Sequence, residues 1–136
     1  MPKNWDPQCV LGLFTWSTDN VKHHGELDVE YSYWGKKKNK WNMQFVVQPH
    51  TKKKNRFRFT SDIHQPKTLQ ILISRKAIGF SAAGDTTEEI RFVSRKRWDP
   101  QLRVFPRINL WLYQGLPPSS GKEVEVIITS YKFLPL

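Results

Sequence analysis

Glu26, Asp28 and Glu30 take every second position of the segment Glu-Leu-Asp-Val-Glu-Tyr-Ser-Tyr-Trp at 26–34. In a strand, alternate side chains share a face, so the three carboxyls point the same way, together with Ser32 and Trp34. Like charges in a column repel and raise one another's proton affinity. A strand selected for stability alone avoids that, unless it is a solvent-facing edge guarded by charge. Trp34 on the same face argues for a cleft. Paired carboxyls suit displacement at a sugar acetal carbon. One attacks as nucleophile while the other first gives a proton and then takes one, and retaining cleavage needs the two roughly 5–5.5 Å apart. Residues four apart on a flat strand have Cα atoms about 13 Å apart. Two long Glu side chains on a concave strand can close that gap. Asp28 between them can hydrogen-bond one glutamate and hold it ionised, leaving the other protonated nearer neutral pH. Which glutamate takes which role depends on environment, which spacing does not show.

The elements that must position these residues are strands. The apolar run 9–16, Cys-Val-Leu-Gly-Leu-Phe-Thr-Trp, precedes the acidic segment. In 26–34, Leu27, Val29, Tyr31 and Tyr33 form the face opposite the acids. Segments 41–49, 56–60, 68–74, 77–82, 88–93, 107–113 and 123–133 are short and rich in β-branched and aromatic residues. Clusters of Gly, Pro, Asn, Asp and Lys divide them. This spacing predicts an all-β chain, an antiparallel β-sandwich or barrel. No segment keeps apolar residues at helical spacing for three turns. The tetrapeptide Trp-Asp-Pro-Gln recurs at 5–8 and 98–101, but its flanks differ, so it marks two similar turns.

Composition bounds the function. The 136 residues suffice for one domain, 1–136, with one modest core. Twenty-two Lys and Arg against 12 Asp and Glu give a net charge of +10, which favours anionic surfaces. One cysteine, Cys9, excludes an internal disulfide and a thiolate zinc site. The four histidines lack metal-ligand spacing, so the expected metal and cofactor content is none. No apolar run approaches membrane-spanning length, and the first residues carry no apolar signal-peptide core.

The acidic segment resembles the Glu-x-Asp-x-Glu signature of glycoside hydrolase family 16, the β-glucanases and their relatives. The runs Gly-Leu-Phe-Thr-Trp before it, Asn-Met-Gln-Phe-Val-Val-Gln-Pro after it and Arg-Ile-Asn-Leu-Trp-Leu-Tyr-Gln-Gly near the end look like neighbouring strands of that family's fold. The resemblance covers about residues 9 to 135. It implies a concanavalin-like jelly roll and retaining cleavage of internal β-linked glycosidic bonds in a glucan or galactan, with no metal in the chemistry. Glu26 becomes the nucleophile, Asp28 the assisting acid and Glu30 the general acid/base.

Substrate contacts follow from faces. Trp34 lies on the acid face and suits stacking on a sugar ring. Asn42 and Gln44 share a face and suit sugar hydroxyls. Ile108, Leu110 and Leu112 suit a core, which turns Asn109 and Trp111 the other way, Trp111 as the sugar platform the resemblance implies. His24 immediately precedes the acidic strand and suits the cleft wall.

Only 25 residues precede Glu26, where the resemblance implies several strands, so the jelly roll is expected to be incomplete at its N-terminus. Open sheet edges then favour self-association. A non-catalytic or degenerate carbohydrate-binding jelly roll is the alternative reading. The basic runs 36–40, 52–56 and 95–98 read as solvated turns with capacity for phosphate or sulfate. Acids in the cleft and charge clustered at turns disfavour nucleic acid. A missing N-terminal segment would imply an extracellular or periplasmic location, and its absence from the gene a cytoplasmic one.

Overall fold

The computed structural model describes residues 5–62, 65, 67–84 and 87–135, with the backbone alone at 87 and 88. Eight strands form, all antiparallel: β1 (Cys9–Trp16), β2 (Leu27–Tyr31), β3 (Met43–Val47), β4 (Arg56–Phe59), β5 (Lys67–Ile73), β6 (Ile78–Gly84), β7 (Thr87–Ser94) and β8 (Phe105–Leu112). Apart from three short 3₁₀ turns, no helix occurs among the described residues. One sheet has the order β4-β3-β2-β1-β8 and the other β5-β6-β7.

Alternation builds the space between the sheets. Leu27, Val29 and Tyr31 of β2 and Met43, Phe45 and Val47 of β3 face inward and are buried. Phe57 and Phe59 of β4 continue this surface. Phe80 and Phe92 close it from the other sheet. Phe45 lies 5.3 Å from Phe80 and Phe57 lies 5.6 Å from Phe92, both stacked, so rings from the two sheets interleave. Aromatic pairs of this kind add about 0.5–1.5 kcal/mol each beyond their burial.

Three strands cannot cover five. The inner face of β8 is left open, with Ile108 48%, Leu110 44% and Leu112 39% exposed. These side chains point inward as their alternation predicts, yet each stays more than a third exposed.

The expected strand at 123–133 does not form. Val124 and Val126 pack against the core, as their alternation requires, but this segment enters no ladder. Both sheets end without pairing to it, and Ile127, Tyr131 and Phe133 stay exposed. The chain is tethered just before this segment. Asp6 accepts from the Ser119 and Ser120 amides, at 3.0 and 2.8 Å, and from the Ser119 hydroxyl.

Candidate active site

The outer face of the five-stranded sheet carries the acids. Asp28 and Glu30 project from β2, opposite the core-facing Leu27, Val29 and Tyr31. Register fixes their neighbours. Asp28 pairs with Phe14 on β1 and Val46 on β3, and Glu30 with Gly12 and Gln44. One strand further out lie Arg58 and Arg56 of β4, opposite Gln44 and Val46. On the other side Asn109 and Arg107 of β8 lie opposite Gly12 and Phe14.

A tight turn sets Glu26 at the entrance to β2. His23, His24 and Gly25 all adopt left-handed backbone, with φ of 60°, 50° and 59°. Glu26 N donates to His23 O at 2.9 Å, and Gln48 N of the neighbouring chain segment donates to Glu26 O at 3.2 Å. Thr15 clamps the turn. Its hydroxyl donates to Gly25 O at 2.8 Å and accepts from Leu27 N at 3.1 Å. Three consecutive left-handed residues, two with a Cβ, are strained backbone held by these bonds.

The three carboxyls have different surroundings. Asp28 is buried, and burial pushes its pKa up to about 9, with added repulsion from Glu26 and Glu30. It is in side-chain hydrogen-bond contact with Glu26, and Gln48 Nε2 donates to its Oδ2 at 3.0 Å. Asp28 is therefore protonated at neutral pH, a neutral acid beside Glu26.

Glu30 sits in a polar cradle. Burial pushes its pKa above the usual carboxyl range, hydrogen bonds from Gln44 and Trp34 pull it back, charge on Glu26 raises it and the Arg58 charge lowers it. Gln44 Nε2 donates to Glu30 Oε2, and Arg58 Nε donates to Gln44 Oε1 at 2.9 Å. The Arg58 guanidinium lies 4.7 Å over the Trp34 ring. A relay of Arg58, Gln44 and Glu30 thus crosses three strands.

Trp34 does lie beside Glu30, but β2 ends at Tyr31 and Trp34 sits in a left-handed turn, φ 46°. It is buried, and Arg58 covers its ring, so it braces Glu30 and is not an open platform. Gln44 is on the acid face. Asn42 is not part of that network. Its side chain donates to Ser61 O at 2.8 Å and accepts from Ser61 N at 2.9 Å, tying the start of β3 to the chain leaving β4. Asn109 and Trp111 are exposed on the outer face of β8. Gly12 makes room for Asn109, since a Cβ there would stand 2.5 Å from Asn109 Oδ1, whereas Trp111 Nε1 at 3.8 Å would be in ordinary contact. His24 stacks on Trp16 at 4.1 Å and 12°, and its Nδ1 lies 3.2 Å from Ser17 O.

Sequence reasoning missed Gln48, Arg58, Trp16 and Phe14. Gln48 has the same parity as Gln44, and Phe14 and Trp16 alternate with Leu13, so strand period alone could have found them. Arg58 depends on the β3–β4 register, which has no local signal. Among the described residues no group of three His, Cys, Asp or Glu side chains converges to hold a metal ion. No family model, curated protein or solved structure matches this chain.

Proposed function

We propose that the chain is a retaining endo-β-glycosidase acting on a β-linked glucan or galactan, with a jelly-roll fold like that of glycoside hydrolase family 16. The observation that carries this reading is the division of labour among three carboxyls on one face. Asp28 holds a proton beside Glu26, while Glu30 has its own donors and a raised pKa. Carboxyls driven apart in this way are how one site supplies both a charged nucleophile and a proton donor.

Glu26 attacks the anomeric carbon. Asp28 offers its proton as a hydrogen bond and orients the attacking oxygen. Glu30 protonates the departing glycosidic oxygen, and its burial favours the protonated form that this step uses. Water then enters, Glu30 takes its proton, and the glycosyl–Glu26 ester breaks with retention. Trp111 and the His24–Trp16 stack offer apolar surface for sugar rings on the β1–β8 side of β2.

One observation favours a second reading, a carbohydrate-binding jelly roll without turnover. All of β8 is exposed, so the outer face has no high wall on that side to exclude water. Release of reducing sugar from a panel of β-glucans and galactans, by the chain beside its Glu26→Gln variant, separates the two. Activity in the first and none in the second supports the enzyme. Binding of the panel without release by either supports the binding protein.

A further inference from the structure

The arrangement of charge on the outer face goes one step beyond that reading, on which this inference rests. The strands directly flanking the acids place no cation beside them. Opposite Asp28 and Glu30 stand Phe14 and Gly12 on β1, and Val46 and Gln44 on β3. Arginines begin one strand further out on both sides, Arg56 and Arg58 on β4 and Arg107 on β8. A sheet that used its arginines to neutralise its acids would set them on β1 and β3, in direct contact. Here they stand two strand spacings from β2, roughly 10 Å on either side.

Only Arg58 is committed, to Gln44 and Trp34. Among the described residues neither Arg56 nor Arg107 is in an ion pair, and both are exposed. Lys96, whose Nζ donates to Gln48 O at 3.1 Å, adds positive charge at the Glu26 end. A polysaccharide crossing the strands over the carboxyls would pass both arginines about a disaccharide's length from the cleaved bond.

We propose that the substrate is an anionic β-linked polysaccharide, bearing sulfate-ester or carboxylate groups that Arg56 and Arg107 receive on opposite sides of the cleavage point. A guanidinium matches either group with two parallel N–H donors, and its charge is permanent. The net charge of +10 adds attraction at long range. Central acids and distant arginines together reject an anionic group at the cleaved sugar while accepting one further along, so the pattern of substitution becomes part of the specificity.

The test is binding by the Glu26→Gln chain, which keeps the full face and does not depend on turnover. The probes are one β-linked galactan in sulfated and desulfated form, one β-glucan in neutral and carboxylated form, and dextran sulfate as an unrelated polyanion. The expected result is about tenfold tighter binding of the charged member of at least one matched pair. Adding Arg56→Ala and Arg107→Ala should remove that advantage and leave neutral binding unchanged. The pair that shows the advantage tells sulfate from carboxylate. Equal binding of charged and neutral members overturns the proposal, as does dextran sulfate binding as tightly as the β-linked polyanions. Sugar release by the unsubstituted chain is scored separately. Cleavage with no preference for charge sinks this inference and leaves the glycosidase standing. Arginine-dependent binding without cleavage keeps the charge preference and sinks the glycosidase.

Discussion

Gln48 Nε2 donates to Asp28 Oδ2 across 3.0 Å, from the chain end of β3 to the middle of the acidic strand. An amide donor normally favours the charged carboxylate. Here burial, followed by the charges of Glu26 and Glu30, outweighs it and holds the Asp28 pKa at about 9. Gln48 thus fixes the direction of a carboxyl that keeps its proton, which leaves the other oxygen to face Glu26.

That proton makes Asp28 a source of pH-dependent stability. The folded value, about 9, lies above the ordinary 3.8, so between these pH values the folded chain binds more protons than the unfolded one. Stability from this group is full below the lower value and falls as pH rises toward the upper. Asp28→Asn keeps the shape and removes the titration. The variant should match the parent near pH 4 and exceed it at pH 8 by on the order of a few kcal/mol. Thermal unfolding of both chains across this range measures it. Parallel curves would contradict a buried neutral Asp28.

The same geometry shows which parts of the site were legible in the sequence. Strand period placed Glu26, Asp28, Glu30 and Gln44 on one face because side-chain direction in a strand is a local property. Period also turned Asn109 and Trp111 away from Ile108, Leu110 and Leu112. Trp34 reaches the acids by another route, because the ladder stops at Tyr31 and a left-handed turn brings its ring beside Glu30. At 123–133 the residues have strand composition, yet a strand forms only where its backbone pairs with a neighbour, and this segment joins the edge of neither sheet. Arg58 reaches Glu30 only through Gln44, by a register between separate strands. Nothing local encodes that.

Glu26→Gln should abolish turnover and leave folding intact, because the amide has nearly the same volume but is a poor nucleophile. Glu30→Ala should lose about 10²–10⁴-fold on natural glycosides and much less on substrates with activated leaving groups, which need no acid. Rates of both variants on an activated aryl glycoside and on polysaccharide provide the comparison. Equal loss by Glu30→Ala on both substrates would remove it from the acid role.

Arg58 should set the alkaline limit of activity. Its charge lowers the Glu30 pKa, as do the hydrogen bonds from Gln44 and Trp34, while burial and Glu26 raise it. Removing the cation therefore raises Glu30 further, and the acid form survives to higher pH. Arg58→Ala should move the falling alkaline limb of kcat to higher pH. It should also lower kcat, because Gln44 loses the donor that fixes its amide. Arg58→Lys restores charge without the planar contact on Trp34, so it should return the limb toward its original position more fully than it returns the rate. A limb unmoved by Arg58→Ala would reduce Arg58 to packing.

Two glycines, one in the turn before β2 and one on β1 opposite Glu30, should respond in opposite ways to the same added methyl. At Gly25 the backbone is left-handed, φ +59°, and a Cβ would meet Leu102 Cδ2 at 2.6 Å and Val104 Cγ1 at 3.0 Å. Gly25→Ala adds backbone strain and a clash beneath the turn that carries Glu26. It should cost on the order of 1–3 kcal/mol of stability and much of the activity. At Gly12 the only close neighbour is Asn109 Oδ1, the far end of an exposed side chain, at 2.5 Å. Asn109 can swing away from the added methyl without disturbing the β1–β8 ladder, and a strand tolerates Ala at least as well as Gly. Gly12→Ala should therefore unfold at nearly the parent temperature, yet bind polysaccharide more weakly, because Asn109 leaves its place across Gly12 from Glu30. Thermal unfolding paired with KM on a cleaved polysaccharide distinguishes the two sites. Loss of stability in Gly12→Ala would mean that Asn109 is locked in place. Unchanged KM would remove Asn109 from the substrate path.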